Sequence, residues 1–143
     1  MPVTVIVGYI PTEAGRVALE HGIAEARRRE TRLVVMSTQD KEQTPSAEAW
    51  ARLSRDLQRV GRRLTEEGVD HEIVKQELRG TAAESLVEAA TEMDAELLVI
   101  GLRRRSMVGK LLLGSQAQQI IMNAPCPVLS VRAGVPAARP RTR

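Results

Sequence analysis

Short apolar runs alternate with longer helix-like segments along this 143-residue chain. Residues 3–8, 33–36, 96–101 and 128–131 are rich in Val, Leu and Ile, which is typical of strands buried on both faces of a sheet. Residues 69–78 mix charged side chains into a strand-like pattern, which predicts an exposed sheet edge. This alternation favours an α/β fold with a parallel sheet and right-handed crossovers.

Helical periodicity predicts helices over residues 13–29, 46–67 and 114–123, and a further helix that begins at Thr81. Thr12 and Thr81 are the predicted N-caps, and Glu84 completes a capping box with Thr81. The spacing predicts buried faces made of Val17, Ala18, His21 and Ala24 in the first helix, of Trp50, Leu53, Leu57, Val60 and Leu64 in the second, and of Leu86, Val87, Ala90 and Met93 in the third.

The composition fits one domain with an aliphatic core, since 43% of the residues are hydrophobic and 1% aromatic. The net charge of +3 is mildly basic, and Lys and Arg are interspersed with Glu, which favours solvated helix faces over a nucleic-acid surface. Only Tyr9 and Trp50 could offer the aromatic platforms that single-strand binders use. We therefore expect no nucleic-acid partner.

Cellular location is inferred from what the sequence lacks. Cys126 is the only cysteine, so the chain cannot form an internal disulfide. The first residues lack the features of a signal peptide, and no apolar run is long enough to span a bilayer. The expectation is a cytoplasmic protein without a membrane partner. Cys126, between two prolines, is expected to be a small packed residue and not a reactive thiol.

A glycine-punctuated loop follows the fourth predicted strand. Gly101 is followed by two residues, then Arg104, then nine residues, and finally Gly114 and Ser115 at the start of a helix. Backbone N–H groups and the helix dipole favour an anion at such a position. Gly114 and Ser115 also suit a plain turn and N-cap, and the run 103–105 with Lys110 is either a solvated loop or an anion-attracting one.

The chain resembles the universal stress protein family over residues 2–132. The resemblance rests on the first strand through Gly8, on residues 97–101, on Gly114 with Ser115, and on residues 124–128 before the last strand. Residues 133–143 are rich in Pro, Ala and Arg without periodicity, which predicts a flexible basic tail. The resemblance implies an adenine-nucleotide alpha-hydrolase-like fold over residues 1–132, with a five-stranded sheet ordered 3-2-1-4-5 and helices on both faces. It also implies a homodimer that pairs through Val128, Leu129, Ser130 and Val131.

In one branch of the family the resemblance further implies ATP, with Mg²⁺, at the ends of the first and fourth strands. The nucleotide-binding residues carried over are Gly8, Tyr9, Ile10, Thr38, Ile100, Gly101, Arg103, Arg104, Gly114, Ser115 and Gln116. The chain departs from the family pattern at two of these positions. Arg104 stands where the family has glycine, and Ile10 stands where the ATP-binding branch has aspartate. Arg104 adds bulk near a phosphate site but also a cation that could hold phosphate. The side chain of Ile10, unlike that of aspartate, cannot accept a hydrogen bond.

No catalytic or metal-binding constellation is visible in the sequence. His21 and His71 lie far apart with no other ligand type at metal spacing, and Gly109-Lys110 is followed by Leu111, unlike a Walker-type loop. A non-enzymatic regulatory module that binds an adenine nucleotide and an unidentified protein partner is one hypothesis. A dimeric interaction scaffold without a nucleotide is the other main hypothesis, and a phosphotransferase or ATPase is a minor third.

Overall fold

The computed structural model describes residues 4–38, 46–76, 80–102 and 113–133. In chain order the elements are β1 (Thr4–Tyr9), α1 (Glu13–Arg29), β2 (Arg32–Thr38), α2 (Ala47–Glu66), β3 (His71–Gln76), α3 (Ala82–Glu92), β4 (Ala95–Leu102), α4 (Ser115–Asn123) and β5 (Val128–Arg132). Arg103, Arg104, Lys110 and the tail beyond Ala133 lie outside the described residues.

The strands form one parallel sheet in the order β3-β2-β1-β4-β5, as expected from the family resemblance. β1 is central and pairs with β2 on one side and with β4 on the other. The predicted polar strand, β3, lies at one edge, and β5 lies at the other. The prediction of an edge position for the polar strand is confirmed, because only an edge leaves room for its charged side chains.

Two apolar layers cover the two faces of the sheet. Val5, Val7 and Tyr9 of β1 point into a cluster with α1 and α2. Ile6, on the opposite face of the same strand, belongs to a cluster with α3 and α4, and so does Ile100 of β4. Because both faces are covered, the central strands are continuous apolar runs and do not alternate with polar residues.

The predicted caps are present where the sequence placed them. The Thr12 hydroxyl accepts a hydrogen bond of 3.1 Å from the Gly15 N–H, and the Thr81 hydroxyl does the same for Glu84. Gly68 follows α2 with φ of +70°, a conformation that glycine adopts without strain. No helix within the described ranges has the length and apolarity to cross a membrane.

The predicted buried face of α1 was partly wrong. Ala18 is buried as expected, but His21 and Ala24 are half-buried, and Leu19 and Ile23 face the sheet instead. Small residues lie on both sides of Leu19 and Ile23, so helical spacing alone is consistent with several buried faces. The face with the larger apolar side chains packs against the sheet, because it buries more apolar surface. In α3, Leu86 and Ala90 are buried as predicted. The remaining buried residues of α3 are Ala83 and Ala89, whereas Val87 and Met93 are only half-buried.

Candidate functional site

The carboxyl ends of β1 and β4 lie side by side, because the two strands are parallel neighbours. We call this end of the sheet the carboxyl edge, which is distinct from the edge strands β3 and β5. The prediction that the first and fourth strands adjoin is therefore confirmed. The turn at 10–12 and the end of β4 at Gly101 and Leu102 open on this edge. Since each of the helices α1 to α4 follows a parallel strand, all of them begin at this end of the sheet. Ligands of open α/β sheets bind at such an edge.

The first turn of α1 lies directly against this edge. A Cβ atom placed on Gly101 would be 2.3 Å from the backbone oxygen of Ala14, and one on Gly15 would be 1.8 Å from the backbone oxygen of Ile10. Any side chain at either position would clash with backbone that cannot move alone. Gly101 is thus required by packing, whether or not a ligand is bound.

Gly114 presents the opposite situation at the start of α4. It is the N-cap, with φ of −63°, and it has no side chain that could cap the helix. A Cβ on Gly114 would meet nothing within 4 Å in the described part of the chain. Neither backbone conformation nor described packing therefore requires glycine. Among the described residues, no side chain caps the first N–H groups of α4, at Ser115 and Gln116. Uncapped N–H groups at a helix N-terminus are the kind of donors that anions contact.

Gln116 links the starts of two helices. Its side-chain Oε1 accepts a hydrogen bond of 2.9 Å from the N–H of Ala83, in the first turn of α3. The amide oxygen of Gln116 therefore satisfies a helix N–H group that has no intrahelical partner. Ser115, its neighbour, is exposed.

Tyr9 is buried, and its side chain points toward α2. Its ring is 1% exposed, and its hydroxyl donates a 2.5 Å hydrogen bond to Oδ2 of Asp56 in α2. Burial raises the pKa of the Tyr9 phenol well above its ordinary value, the hydrogen bond to Asp56 and the Asp56 charge raise it further, and the charge of Arg16 opposes them. The phenol is therefore neutral at physiological pH.

A polar row continues from Tyr9 across the carboxyl ends of the next two strands. Tyr9 is paired with Ser37 of β2, which is paired with Lys75 of β3. Ser37 is 2% exposed. The Lys75 ammonium donates to the Ser54 hydroxyl and lies 3.9 Å from the ring centroid of Trp50. The predictions missed this row under α2. The signal was a polar residue on the buried side of α2, Asp56, one position before Leu57.

The remaining predicted site residues occupy defined positions in the fold. Thr38 is the last residue of β2, and Ile10 is half-buried in the turn after β1. Gly8 and Ile100 face α3, since a Cβ on Gly8 would lie 2.9 Å from Leu86 Cδ1 and 3.7 Å from Ile100 Cγ2. The predicted ligands Arg103 and Arg104 lie outside the described residues.

Side chains suited to metal binding or nucleophilic chemistry are sparse. Within the described ranges, no three His, Cys, Asp or Glu residues are grouped so as to hold a metal ion. Cys126 is half-buried, and burial raises the pKa of its thiol, which keeps it protonated at neutral pH. This finding agrees with the expected packing role of Cys126.

A parallel sheet in the order 3-2-1-4-5, with helices packed on both faces, defines a doubly wound α/β domain. The sequence model of the universal stress protein family matches residues 1–132, and the chain belongs to that family. A universal stress protein of Mycolicibacterium smegmatis is 44% identical over 130 residues, which are 90% of this chain and 96% of that protein.

Solved structures of universal stress proteins share the fold. One from Archaeoglobus fulgidus, in complex with dAMP, superimposes with a TM-score of 0.69 at 22% identity, covering 91% of this chain and 97% of that one. One from Arabidopsis thaliana, with AMP bound, has a TM-score of 0.66 at 16% identity and covers 94% of each chain. At these identities the likeness establishes the fold.

Proposed function

We propose that this protein is a cytoplasmic, homodimeric regulatory module that binds an adenine nucleotide at the carboxyl edge of β1 and β4. The observation that carries the proposal is the start of α4, where the N-cap residue Gly114 has no side chain to cap the first helical N–H groups at that edge. Glycine is explained there by close approach of a ligand, since no described neighbour and no backbone angle explains it.

The relatives supply the chemistry of the ligand. Universal stress proteins have been solved with dAMP and with AMP, and both ligands carry an adenine and one phosphate. In the proposed site the phosphates lie at the N–H groups of Ser115 and Gln116, and the sugar and base extend toward Ile10 and Thr38. The ends of β1 and β4 form the surface on which the nucleotide lies, through Gly8, Tyr9, Ile100 and Gly101. The side chains of Arg103 and Arg104 contribute positive charge near the phosphates. Mg²⁺ enters with ATP, held by its phosphates.

Affinity for the nucleotide is expected to be modest. The side chain of Ile10 offers no hydrogen-bond acceptor to a sugar hydroxyl, and one charged hydrogen bond contributes roughly 1.5–3 kcal/mol, or about ten- to a hundredfold in affinity. No nucleophile or general base is proposed at the edge, because the Tyr9 phenol is buried and held neutral. Nucleotide hydrolysis is therefore at most slow and incidental.

Dimerisation is proposed through β5, which forms an open edge of the sheet. Val128, Leu129 and Ser130 are each half-buried, and an edge with this apolar character is an aggregation liability unless another strand covers it. Pairing of β5 with its symmetry mate closes the edge in an isologous interface. Residues 1–132 then form the domain, with 133–143 as a tail.

The alternative is a dimeric scaffold that binds protein partners and no nucleotide. Ile10 favours this alternative by removing a contact, and Arg104 favours it by adding bulk where glycine is expected. A single pair of variants separates the two functions.

Gly114→Asp and Gly114→Asn both provide a better N-cap than glycine, so both are expected to raise the thermal stability of the free protein slightly, by a few tenths of a kcal/mol. The Asp variant also places a negative charge where the phosphates bind, so AMP and ATP affinity, measured by titration calorimetry, should fall at least about tenfold more than in the Asn variant. If the wild type and the Asp and Asn variants bound nucleotide with equal affinity, the proposal that the phosphates lie at the start of α4 would be contradicted. Absence of binding to the wild type would favour the scaffold.

A further inference from the structure

Four arginines form a row on the solvent side of α2. Arg52, Arg55, Arg59 and Arg62 are spaced by three, four and three residues, and all are exposed. This spacing places them on one helix face over about 15 Å. The opposite face carries the four residues that pack on the sheet: Leu53, Leu57, Val60 and Leu64. Because that apolar face is fixed on the core, the arginine row is held toward solvent.

The charges of this row have no partner within the part of the chain that the structure describes, where its members take part in no ion pair. Arg63, the next residue along, pairs with both Glu20 and Glu67. Arg27 and Arg32 pair with glutamates as well. The fold therefore pairs neighbouring arginines and leaves this row open.

The row is also bounded at both ends by negative charge. Glu48 precedes Arg52 by four residues and Glu66 follows Arg62 by four, so each lies one turn beyond the row on the same face. Both glutamates are exposed. The surface is thus a short positive segment between two negative ends.

We propose that this arginine row docks an acidic α-helix of a partner protein. Carboxylates at the same three- and four-residue steps on a facing helix would meet the guanidinium groups in turn, and the planar guanidinium matches a carboxylate with two parallel hydrogen bonds. Basic residues at the ends of the partner helix would meet Glu48 and Glu66 and fix its register. The docking does not depend on nucleotide binding.

Other anionic partners fit the same surface less well. A nucleic acid or a lipid surface extends its negative charge past 15 Å and would bring it against Glu48 and Glu66. Membrane-surface helices insert an apolar face, and in α2 that face is buried against the sheet. Single-stranded nucleic acid also needs exposed aromatic rings, but Tyr9 is buried and the Lys75 ammonium lies over Trp50.

The test is fluorescence anisotropy of a labelled synthetic helix of about 18 residues, five helical turns, with Glu at the matching steps and Lys at both ends. A peptide of the same composition with the glutamates distributed around the helix is the control ligand. The full-length protein should bind the matched peptide about tenfold or more tightly than the scrambled one, and binding should weaken as salt is added.

The variant Arg55→Glu with Arg59→Glu should weaken binding of the matched peptide about tenfold or more. The control variant, Arg16→Glu with Arg28→Glu, makes the same change in net charge at exposed positions in α1, outside both α2 and the β5 strand, and should bind within about twofold of wild type. Circular dichroism checks that both variants fold. Equal binding by the two double variants, equal binding of the two peptides, or no binding would overturn the proposal. The proposal would also be overturned if duplex DNA or phosphatidylserine vesicles bound the wild type more tightly than the matched peptide does, and if the Arg55→Glu, Arg59→Glu variant lost that binding.

Discussion

The hydroxyl of Tyr9, at the end of β1, is hydrogen-bonded at 2.5 Å to the carboxylate of Asp56 in α2. This bond spans 47 residues of sequence and attaches α2 to the central strand of the sheet. Lys75 of β3 also contacts α2, at Ser54 and Trp50. These polar contacts hold α2 on the sheet in addition to its buried apolar face. The carboxyl edge of the sheet and the outer helix α2 are therefore linked directly.

Replacing Tyr9 by Phe tests this link. The loss of a hydrogen bond to a charged group should lower the free energy of unfolding by about 1 to 2 kcal/mol at neutral pH, because the half-buried Asp56 keeps some access to water. The measurement is urea unfolding of both proteins. Asp56→Asn, which keeps the shape of the acceptor, should lose less than Tyr9→Phe. An unchanged midpoint for Tyr9→Phe would contradict the role given to the bond.

The same residue predicts how stability depends on alkaline pH. The Tyr9 pKa is raised in the folded protein, so the unfolded chain loses its phenol proton first as the pH rises above about 10. The stability present below that pH is then lost progressively as the pH climbs toward the folded value. Wild type should lose stability above pH 10 more steeply than Tyr9→Phe. As Tyr9 is the only tyrosine, tyrosinate absorbance reports its titration directly, and ionisation near pH 10 in the native state would refute the prediction.

Gly101 is predicted to tolerate no side chain. Gly101→Ala places a methyl group 2.3 Å from the Ala14 backbone oxygen. It should lower the free energy of unfolding by about 1 to 3 kcal/mol, or by more if α1 cannot shift. Gly61→Ala, within α2, is the matched control, because its Cβ would make an ordinary 3.6 Å contact with Ile73. This substitution should raise the free energy of unfolding by about 0.5 to 1 kcal/mol, since alanine favours a helix more than glycine does. Thermal unfolding compares the two, and similar midpoints would show that β4 and α1 are not in tight contact.

The Gln116 side chain is predicted to stabilise the start of α3. Gln116→Ala leaves the N–H of buried Ala83 without its acceptor and should cost about 1 to 3 kcal/mol. Gln119→Ala, on the same helix, is expected to change stability by less than about 0.5 kcal/mol. Hydrogen exchange at Ala83 should accelerate in the first variant and stay unchanged in the second. The reverse pattern would show that the α3–α4 contact does not depend on Gln116.

The β5 edge is predicted to carry the dimer. Leu129→Pro removes a backbone donor from that strand, and Ser130→Lys adds a charge that edge strands use to prevent pairing. Light scattering should give a dimer for wild type and a monomer for Ser130→Lys. Leu129→Pro should be monomeric or insoluble. If both variants remained soluble dimers, the interface would lie elsewhere.

The elements could be predicted from the sequence more fully than their contacts. Strand and helix positions followed from apolar periods, and caps such as Thr12 and Thr81 followed from residue type. The strand order came from the family resemblance, because periodicity cannot say which parallel strands adjoin. The face of α1 was ambiguous, since small residues allow close packing on several sides.

The contacts at the site depended on tertiary structure and were not predicted. The resemblance implied that Tyr9 and Gln116 bind a nucleotide, but it gave no indication that their side chains contact Asp56 and Ala83. Both partners are distant in sequence, and no local pattern marks such pairs. Gly101 and Gly114 look equivalent in the motif, but packing among the described residues requires only the first to be glycine.

The most direct test of the central proposal is thermal unfolding of the purified protein with and without millimolar ATP, ADP, AMP or tripolyphosphate, each with Mg²⁺. A ligand at ten times its dissociation constant stabilises the native state by about 1.4 kcal/mol, which corresponds to a rise of about 3 to 6 °C in a domain of this size. We predict such a rise with the adenine nucleotides, larger than any rise with tripolyphosphate. No rise with any adenine nucleotide would contradict nucleotide binding at the β1–β4 edge.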